Sequence, residues 1–501
     1  MAVHGGEPIV RIEPSGPNAR REEWRQDLAV ALVALAVLAL PALLREDFPH
    51  QNGFGFDGAK FAGIARDLEV GRLDAYMLQR ILPSALVHGS LRLLDLPRTD
   101  RNLIRAFLVL DLLAIVAGTF YCCRSATLLG AGANGRFVAF CAVALSHAHL
   151  KMAMFYPTMT DSTAFAVGAI TVHSHLARRT ARLVVVTVAG AFVWPIALPF
   201  GALLLALPRP EGAVPVASAS RRARVAAIVL TIGVLLFLGY TLEMAPEVFC
   251  VHEKPIGWLL PLSSAVVAVW VFSTQRALLD SAPLWSALRP GSLLASRRVW
   301  LVVAAAVGLR LATEFAAGRP TVYGFTTRAH LERIAFESVV QPAVFLVAHV
   351  LYFGPSLLLV PFVVRRLVAL VKAQGAGPAL ALAGISLLAV SSNSRQLVHS
   401  HAFLVPYLAV AAGRLDWTCR RRFGFAALSI AFSKAWLPMS RDLVVPFFDH
   451  ASWSALFYSS QGPYLNHRLY AVQAVGVVAA FVAVRFAFVR PCAPGAASSA
   501  P

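Results

Sequence analysis

Apolar stretches of about 17 to 25 residues, long enough to cross a hydrocarbon core of about 30 Å as a helix, recur along this chain. The first runs from Leu28 to Leu44 and the last from Tyr470 to Val489; others include Leu103 to Cys122, Phe137 to Met154, Ser162 to Ala177, Val339 to Val364 and His401 to Gly413. A backbone crossing lipid must satisfy its own hydrogen bonds, which leaves helices or a closed barrel, and the short alternating strands of a barrel are missing. With 58% hydrophobic and 14% charged residues over 501 positions, the expected fold class is all-α, a polytopic transmembrane helix bundle of about eleven to thirteen spans. Between Leu183 and Leu207 the apolar run is interrupted by Trp194-Pro195 and Pro199, so this stretch is expected to turn back on itself as a hairpin.

The net charge of +19 lies mainly in short linkers such as Arg178-Arg179, Arg221-Arg222, Arg297-Arg298, Arg365-Arg366 and Arg420 to Arg422. Basic linkers mark the cytoplasmic side, so the charge orients the chain and calls for no nucleic acid. This gives a cytoplasmic N-terminal tail (1–27), a transmembrane region (28–490) in the cell inner membrane with a first extracytoplasmic loop (45–102), and a disordered tail (491–501). Of six cysteines, only Cys250 falls outside, so no disulfide is expected, and neither metal nor redox spacing is present. No internal repeat suggests the paired halves of many transporters.

Within the first loop, Phe56 to Leu68 places apolar residues at 61, 64, 65 and 68, one face of an amphipathic helix along the membrane interface, ended by Gly71. Asp57 stands where an N-cap belongs, with Phe56 and Phe61 spaced as a hydrophobic staple, a position that also presents a carboxylate to an interfacial cavity. A second amphipathic run contains Leu82, Leu86, Leu91 and Leu94, preceded by Arg80, a residue suited either to a phosphate or to lipid headgroups. Two spans later, the tight loop Phe155 to Ser162 holds Tyr156 and Asp161 on the same side, and Asp161 or Thr160 is expected to cap the next span.

Gly55-Phe56-Asp57-Gly58, Gln79-Arg80-Ile81-Leu82-Pro83, Tyr156-Pro157-Thr158-Met159-Thr160-Asp161 and Ser394-Arg395-Gln396-Leu397 occur in that order. This combination resembles the GT-C superfamily of integral-membrane glycosyltransferases, most clearly over the first 180 residues or so. The resemblance implies transfer of a sugar, with inversion, from a polyprenyl-phosphate donor to a glycan, lipid or protein acceptor hydroxyl outside the membrane. It assigns Asp57 and Asp161 as catalytic acids and Arg80, Tyr156, Arg395 and His399 as substrate-binding residues, with His399 expected four residues on along the helical face of Arg395. A single acid in the first loop, where the family often has a pair, weakens the case for a metal, although a divalent cation remains compatible. No soluble acceptor-binding module is expected after the last span.

Other features carry rival readings. Arg310 and Glu314, four apart in an apolar span, are expected to pair and face the bundle interior, and Asp111 lacks an evident partner. A transporter or lipid flippase would use these residues along its path, and a membrane scaffold would need none of the acids. The loop Gly318 to Glu337, with Arg319, Tyr323, Arg328, His330 and Arg333, admits two readings, a cover that closes over the donor or a solvated connector, of which the connector is expected unless the loop is ordered. The pairs His147/His149, His173/His175 and His399/His401 point to opposite sides of a helix and suit packing better than chelation.

Overall fold

A computed structural model describes residues 17–44, 51–210, 219–244, 254–321, 326–438, 457–458 and 465–488. Cys250, Tyr323, Cys492, the 491–501 tail and the side chain of Phe56 lie outside the described residues. The chain is an all-helical, multi-pass bundle with no strand among the described residues.

Helix α1 (Pro17–Leu43) begins well before Leu28, so residues 17–27 continue the helix of the first span. The extension is anchored at Asp27, wholly buried, which accepts hydrogen bonds from Arg136 Nε at 2.8 Å, Thr127 Oγ1 at 3.0 Å and Arg124 at 3.2 Å. An acid buried this deeply persists because its oxygens are matched by cations and a hydroxyl.

In the first loop, α2 (Phe56–Asp67) and α3 (Ile81–Leu93) pack together and onto α4 (Asp100–Leu128). Phe61, Ile64 and Ala65 are buried, as their spacing implies. The helix stops at Leu68, which adopts a left-handed conformation and returns its N–H to Ile64 O, before Gly71 is reached. The buried face of α3 runs through Ser84, Val87 and Leu91, leaving Leu86 and Leu94 exposed, contrary to the leucine spacing. Ser84 donating to Phe61 O at 3.0 Å and His88 bonded to Ala65 O at 2.9 Å set that rotation.

Helix α5 (Ala133–Ala144) is followed across a 45° bend by residues 148–155, the two pieces together making one candidate span. Helix α6 (Asp161–Leu176) returns alongside α4. Then α7 (Thr180–Gly190) and α8 (Ala197–Ala206) form the hairpin expected from Trp194-Pro195. Its turn meets the first loop through Leu82 N–H to Phe192 O at 2.9 Å, whereas its base meets basic linkers through Arg298 Nε to Leu205 O at 2.6 Å. These contacts define two ends of the bundle, a loop end and a basic end.

The later helices are α9 (Ser220–Met244), α10 (Leu260–Leu279), α11 (Arg297–Ala316), α12 (Thr327–Glu337), α13 (Val344–Phe353), α14 (Val360–Ala373), α15 (Ala376–Leu388), α16 (Val398–Gly413), α17 (Cys419–Ser433) and α18 (His467–Phe488). Among the described residues, six helices are long and apolar enough to cross a membrane by themselves, and the bent pair makes seven. The expected Val339 to Val364 span is instead broken at Gly354-Pro355, where glycine takes a positive φ and proline cannot donate. Arg310 and Glu314 pair at 2.6 Å, but they stay nearly half exposed on α11 and do not face the interior. Mutual neutralisation lets this peripheral helix carry both charges on its outer surface.

Candidate functional site

Two short segments at the loop end are locked face to face by glycines. Gly58 N–H donates to Tyr156 Oη at 2.9 Å, and Thr158 Oγ1 donates to Phe54 O at 2.8 Å. A Cβ at Gly58 would lie 2.0 Å from Thr158 Oγ1 and 2.7 Å from the Tyr156 ring, and one at Gly55, where φ is +67°, would lie 2.6 Å from that ring. Only glycine permits this approach, which fixes the start of α2 against the Tyr156 loop.

Asp57 therefore lies in the first turn of α2, not at the N-cap; that place is taken by Gly55, which makes no side-chain cap. Its carboxylate is 44% exposed with Lys60 Nζ at 3.6 Å. Asp161 likewise opens α6 from within the helix, and Thr160, the residue at the cap, offers no side-chain bond. The Asp161 carboxylate instead turns to Arg395, whose Nε donates to Oδ2 at 2.8 Å with the pair mostly buried at 11% and 19% exposure. Asp57 and Tyr156 are close enough to act on the Arg395 charge, so Asp57, Tyr156, Asp161 and Arg395 form one cluster.

The segment presenting Arg395 is a 3-10 turn, Ser394–Leu397, clamped from three directions. Trp194 Nε1 donates to Gln396 O at 3.3 Å, His349 is bonded through Nδ1 to Ser394 Oγ at 2.9 Å, and Ser391 Oγ donates to Glu337 at 3.1 Å. His399 does not join the cluster. The change from 3-10 to α-helix after Leu397 breaks the i, i+4 relation with Arg395, and the imidazole is wholly buried beside Phe200 and Phe403.

Arg80 is only 6% exposed and sits between aromatic rings, its guanidinium 4.0 Å from the Trp194 centroid and 4.8 Å from that of Tyr76. No carboxylate pairs with it among the described residues, and its Nε has no acceptor. His330 of α12 lies near both Arg80 and Arg333. Burial and the charges of Arg333 and Arg80 push the His330 imidazole down to about 4, so it is neutral near pH 7. Expected as a solvated connector, the 318–337 loop is instead ordered at both described ends. Gly318 N–H donates to Leu73 O at 2.9 Å, a Cβ at Gly318 would strike Gly71 O at 1.6 Å, and 327–337 is helical.

Asp111, with no evident partner in the sequence, is hydrogen bonded to Ser162 and lies near Asp161. Sequence reasoning missed Trp194 and Glu337, and also Tyr352 and Tyr458, both of which are electrostatically coupled to Asp161 and Arg395. For Trp194 the available signal was the Trp-Pro break itself, and for Tyr352 a phenol inside an apolar run. Among the described residues no group of three or more His, Cys, Asp or Glu side chains is arranged to hold a metal ion. No protein-family model, curated protein or solved structure matches this chain.

Proposed function

We propose that this protein is a membrane glycosyltransferase of the GT-C kind, moving a sugar from a polyprenyl-phosphate donor to an acceptor hydroxyl at the membrane surface. The observation that carries this reading is the gathering of Asp57, Tyr156, Asp161 and Arg395 at one end of the bundle, with Arg80 near by and without a carboxylate partner among the described residues. By the positive-inside rule the basic end faces the cytoplasm, as does the N-terminus, and the site opens to the other side of a cell inner membrane. No nucleotide-sugar pool exists there, so a lipid-borne donor supplies the sugar.

Asp57, exposed and fixed by the Gly58–Tyr156 contact, is placed to take the proton of the acceptor hydroxyl as that oxygen attacks the anomeric carbon. The bond from that carbon to the phosphate oxygen breaks, the phosphate keeps the electron pair, and the configuration inverts. The transition state has oxocarbenium character, so charge growing on the phosphate needs cations. Arg395 is already committed to Asp161. The Arg80 guanidinium, which pairs with no carboxylate among the described residues, suits the phosphate better, and Arg395 with Asp161 shapes the centre beside Asp57. The acceptor is a glycan, lipid or protein hydroxyl.

The test is transfer of radiolabelled sugar from synthetic polyprenyl-phosphate mannose, glucose and arabinose by the full-length protein in lipid nanodiscs. Loss of a general base lowers turnover by about 10²- to 10⁴-fold, and Asp57→Asn should do so while the protein stays folded. Full turnover in Asp57→Asn overturns the reading. A transporter or flippase would be sensitive at Asp111 or Arg310 and indifferent at Asp57.

A further inference from the structure

Around the Asp161–Arg395 pair, four polar atoms are buried without a hydrogen-bond partner: Tyr352 Oη, Tyr458 Oη, Thr160 Oγ1 and Asp161 Oδ1. They belong to one neighbourhood. Tyr352 feels Asp161, Arg395 and Tyr458, and Tyr458 feels Tyr156, Arg395 and Asp161. Buried polar groups are nearly always bonded in native proteins, and an isolated exception calls for a specific explanation; four in one place call for a shared one.

The rings are not loosely placed. His147 lies edge-on to both phenols, with centroids 5.9 Å from Tyr352 and 5.5 Å from Tyr458, and has Nδ1 3.0 Å from Ser433 O and Nε2 3.0 Å from Tyr458 O, so that its one N–H donates to a carbonyl in either tautomer. Phe155 packs edge-on to Tyr458 at 4.9 Å. Packing thus fixes both rings close to Asp161 while leaving their hydroxyls without a hydrogen-bond partner. Two phenols and the neighbouring Thr160, each able to donate and accept, share this region with a carboxylate oxygen that only accepts. The matching ligand carries several hydroxyls. It is also uncharged, because Arg395 already neutralises Asp161.

We infer that Tyr352, Tyr458, Thr160 and the free oxygen of Asp161 form the subsite that reads the hydroxyls of the transferred sugar. This rests on the glycosyltransferase reading and divides the site by chemistry: an anion position at Arg80 and a neutral polyol position beside Asp161. An ordered water satisfying the same atoms is the competing occupant.

The experiment uses the full-length protein in nanodiscs with Tyr352→Phe and Tyr458→Phe, which remove the hydroxyl and keep the ring. Without donor, both variants should melt at or above the wild-type Tm, since an unpaired buried hydroxyl stabilises nothing. A lower Tm in both would reveal an ordered water only, or a protein partner, and overturns the inference. With polyprenyl-phosphate mannose, glucose and arabinose and their monodeoxy analogues, each variant should lose about ten- to a hundredfold in kcat/KM on a fully hydroxylated donor. It should lose nothing on the analogue lacking the hydroxyl it meets. Equal loss on every donor, or no loss on any, also overturns it. If the wild type transfers none of these sugars, the glycosyltransferase reading itself fails. Free mannose, glucose and arabinose then decide the subsite, by raising the Tm of the wild type and not of the two variants, or by failing to.

Discussion

Arg395 and Asp161, 234 positions apart, meet at 2.8 Å between Nε and Oδ2 and tie the last turn before α16 to the first turn of α6. Breaking a buried pair leaves a charge without compensation, at a cost of about 3 kcal/mol or more. Asp161→Ala should therefore lower stability by that amount, and Asp161→Asn by less because its carbonyl still accepts. Asp57 differs: its link to Lys60 is long and exposed, and such contacts are worth under about 1 kcal/mol. Thermal melts in nanodiscs should place Asp57→Asn close to the wild type and Asp161→Ala far below it. Equal losses would remove the distinction between an available carboxylate and one committed to holding Arg395.

Gly58 and Gly63 lie in the same helix, yet their replacement by alanine should have opposite effects. A methyl at 58 meets Thr158 and Tyr156 inside contact distance, so the loops must part, at a cost of about 1 to 3 kcal/mol. At 63 nothing lies within 4 Å, and alanine should add about 0.5 to 1 kcal/mol by helix propensity. Gly58→Ala should also reduce any activity that depends on Asp57. Melting temperatures of the two variants, measured side by side, check both signs.

The class of fold was legible because lipid imposes a length and a polarity on each span, and Trp194-Pro195 announced the hairpin for the same reason. Asp57, Asp161 and Arg395 were legible as candidates because loop acids and an arginine at a helix end stand out against apolar neighbours. Their mutual roles were not, since a bond across 234 positions leaves no local trace. The spacing of Arg395 and His399 misled for a related reason: four residues share a face only if the helix is continuous, and here it starts after Leu397. Leucine spacing in α3 misled because Ser84 and His88, bonding to carbonyls of α2, outweighed the apolar stripe. Tyr352 and Tyr458 acquire meaning only beside Asp161.

Arg80 offers a test of the anion position that needs no turnover. A buried guanidinium without a counterion is costly, so Arg80→Met, which keeps the apolar stem between Tyr76 and Trp194, should not lower stability in the absence of ligand. It should weaken binding of polyprenyl phosphate about ten- to a hundredfold, the usual worth of a charge-assisted hydrogen bond. Arg80→Lys should fall between, because an ammonium keeps the charge and loses the planar stacking. Lipid-phosphate binding measured in nanodiscs decides it; unchanged affinity in Arg80→Met would place the phosphate elsewhere.

Glu337 should make stability depend on pH. It lies at the end of α12, outside the spans, and burial pushes its carboxyl up to about 7 against the opposing influences of Arg333, Ser391 Oγ and the Asn393 N–H. The unfolded chain loses this proton near 4.5 and the folded chain holds it until about 7, so between those values the folded state binds more protons and stability falls as pH rises. The slope is about 1.4 kcal/mol per pH unit, and the accumulated loss about 3 kcal/mol, constant above pH 7. His330, depressed to about 4, titrates with the opposite sign in an overlapping window: stability gained between about 4 and the ordinary histidine value. A single melting curve would blend the two, so the quantity to measure is the difference between wild type and Glu337→Gln. That variant keeps an acceptor for Ser391 and Asn393 and removes the titration. It should match the wild type near pH 4 and exceed it in Tm near pH 8; a difference that does not grow over this range would mean that Glu337 ionises as an ordinary carboxylate and does not clamp the Arg395 turn in its protonated form.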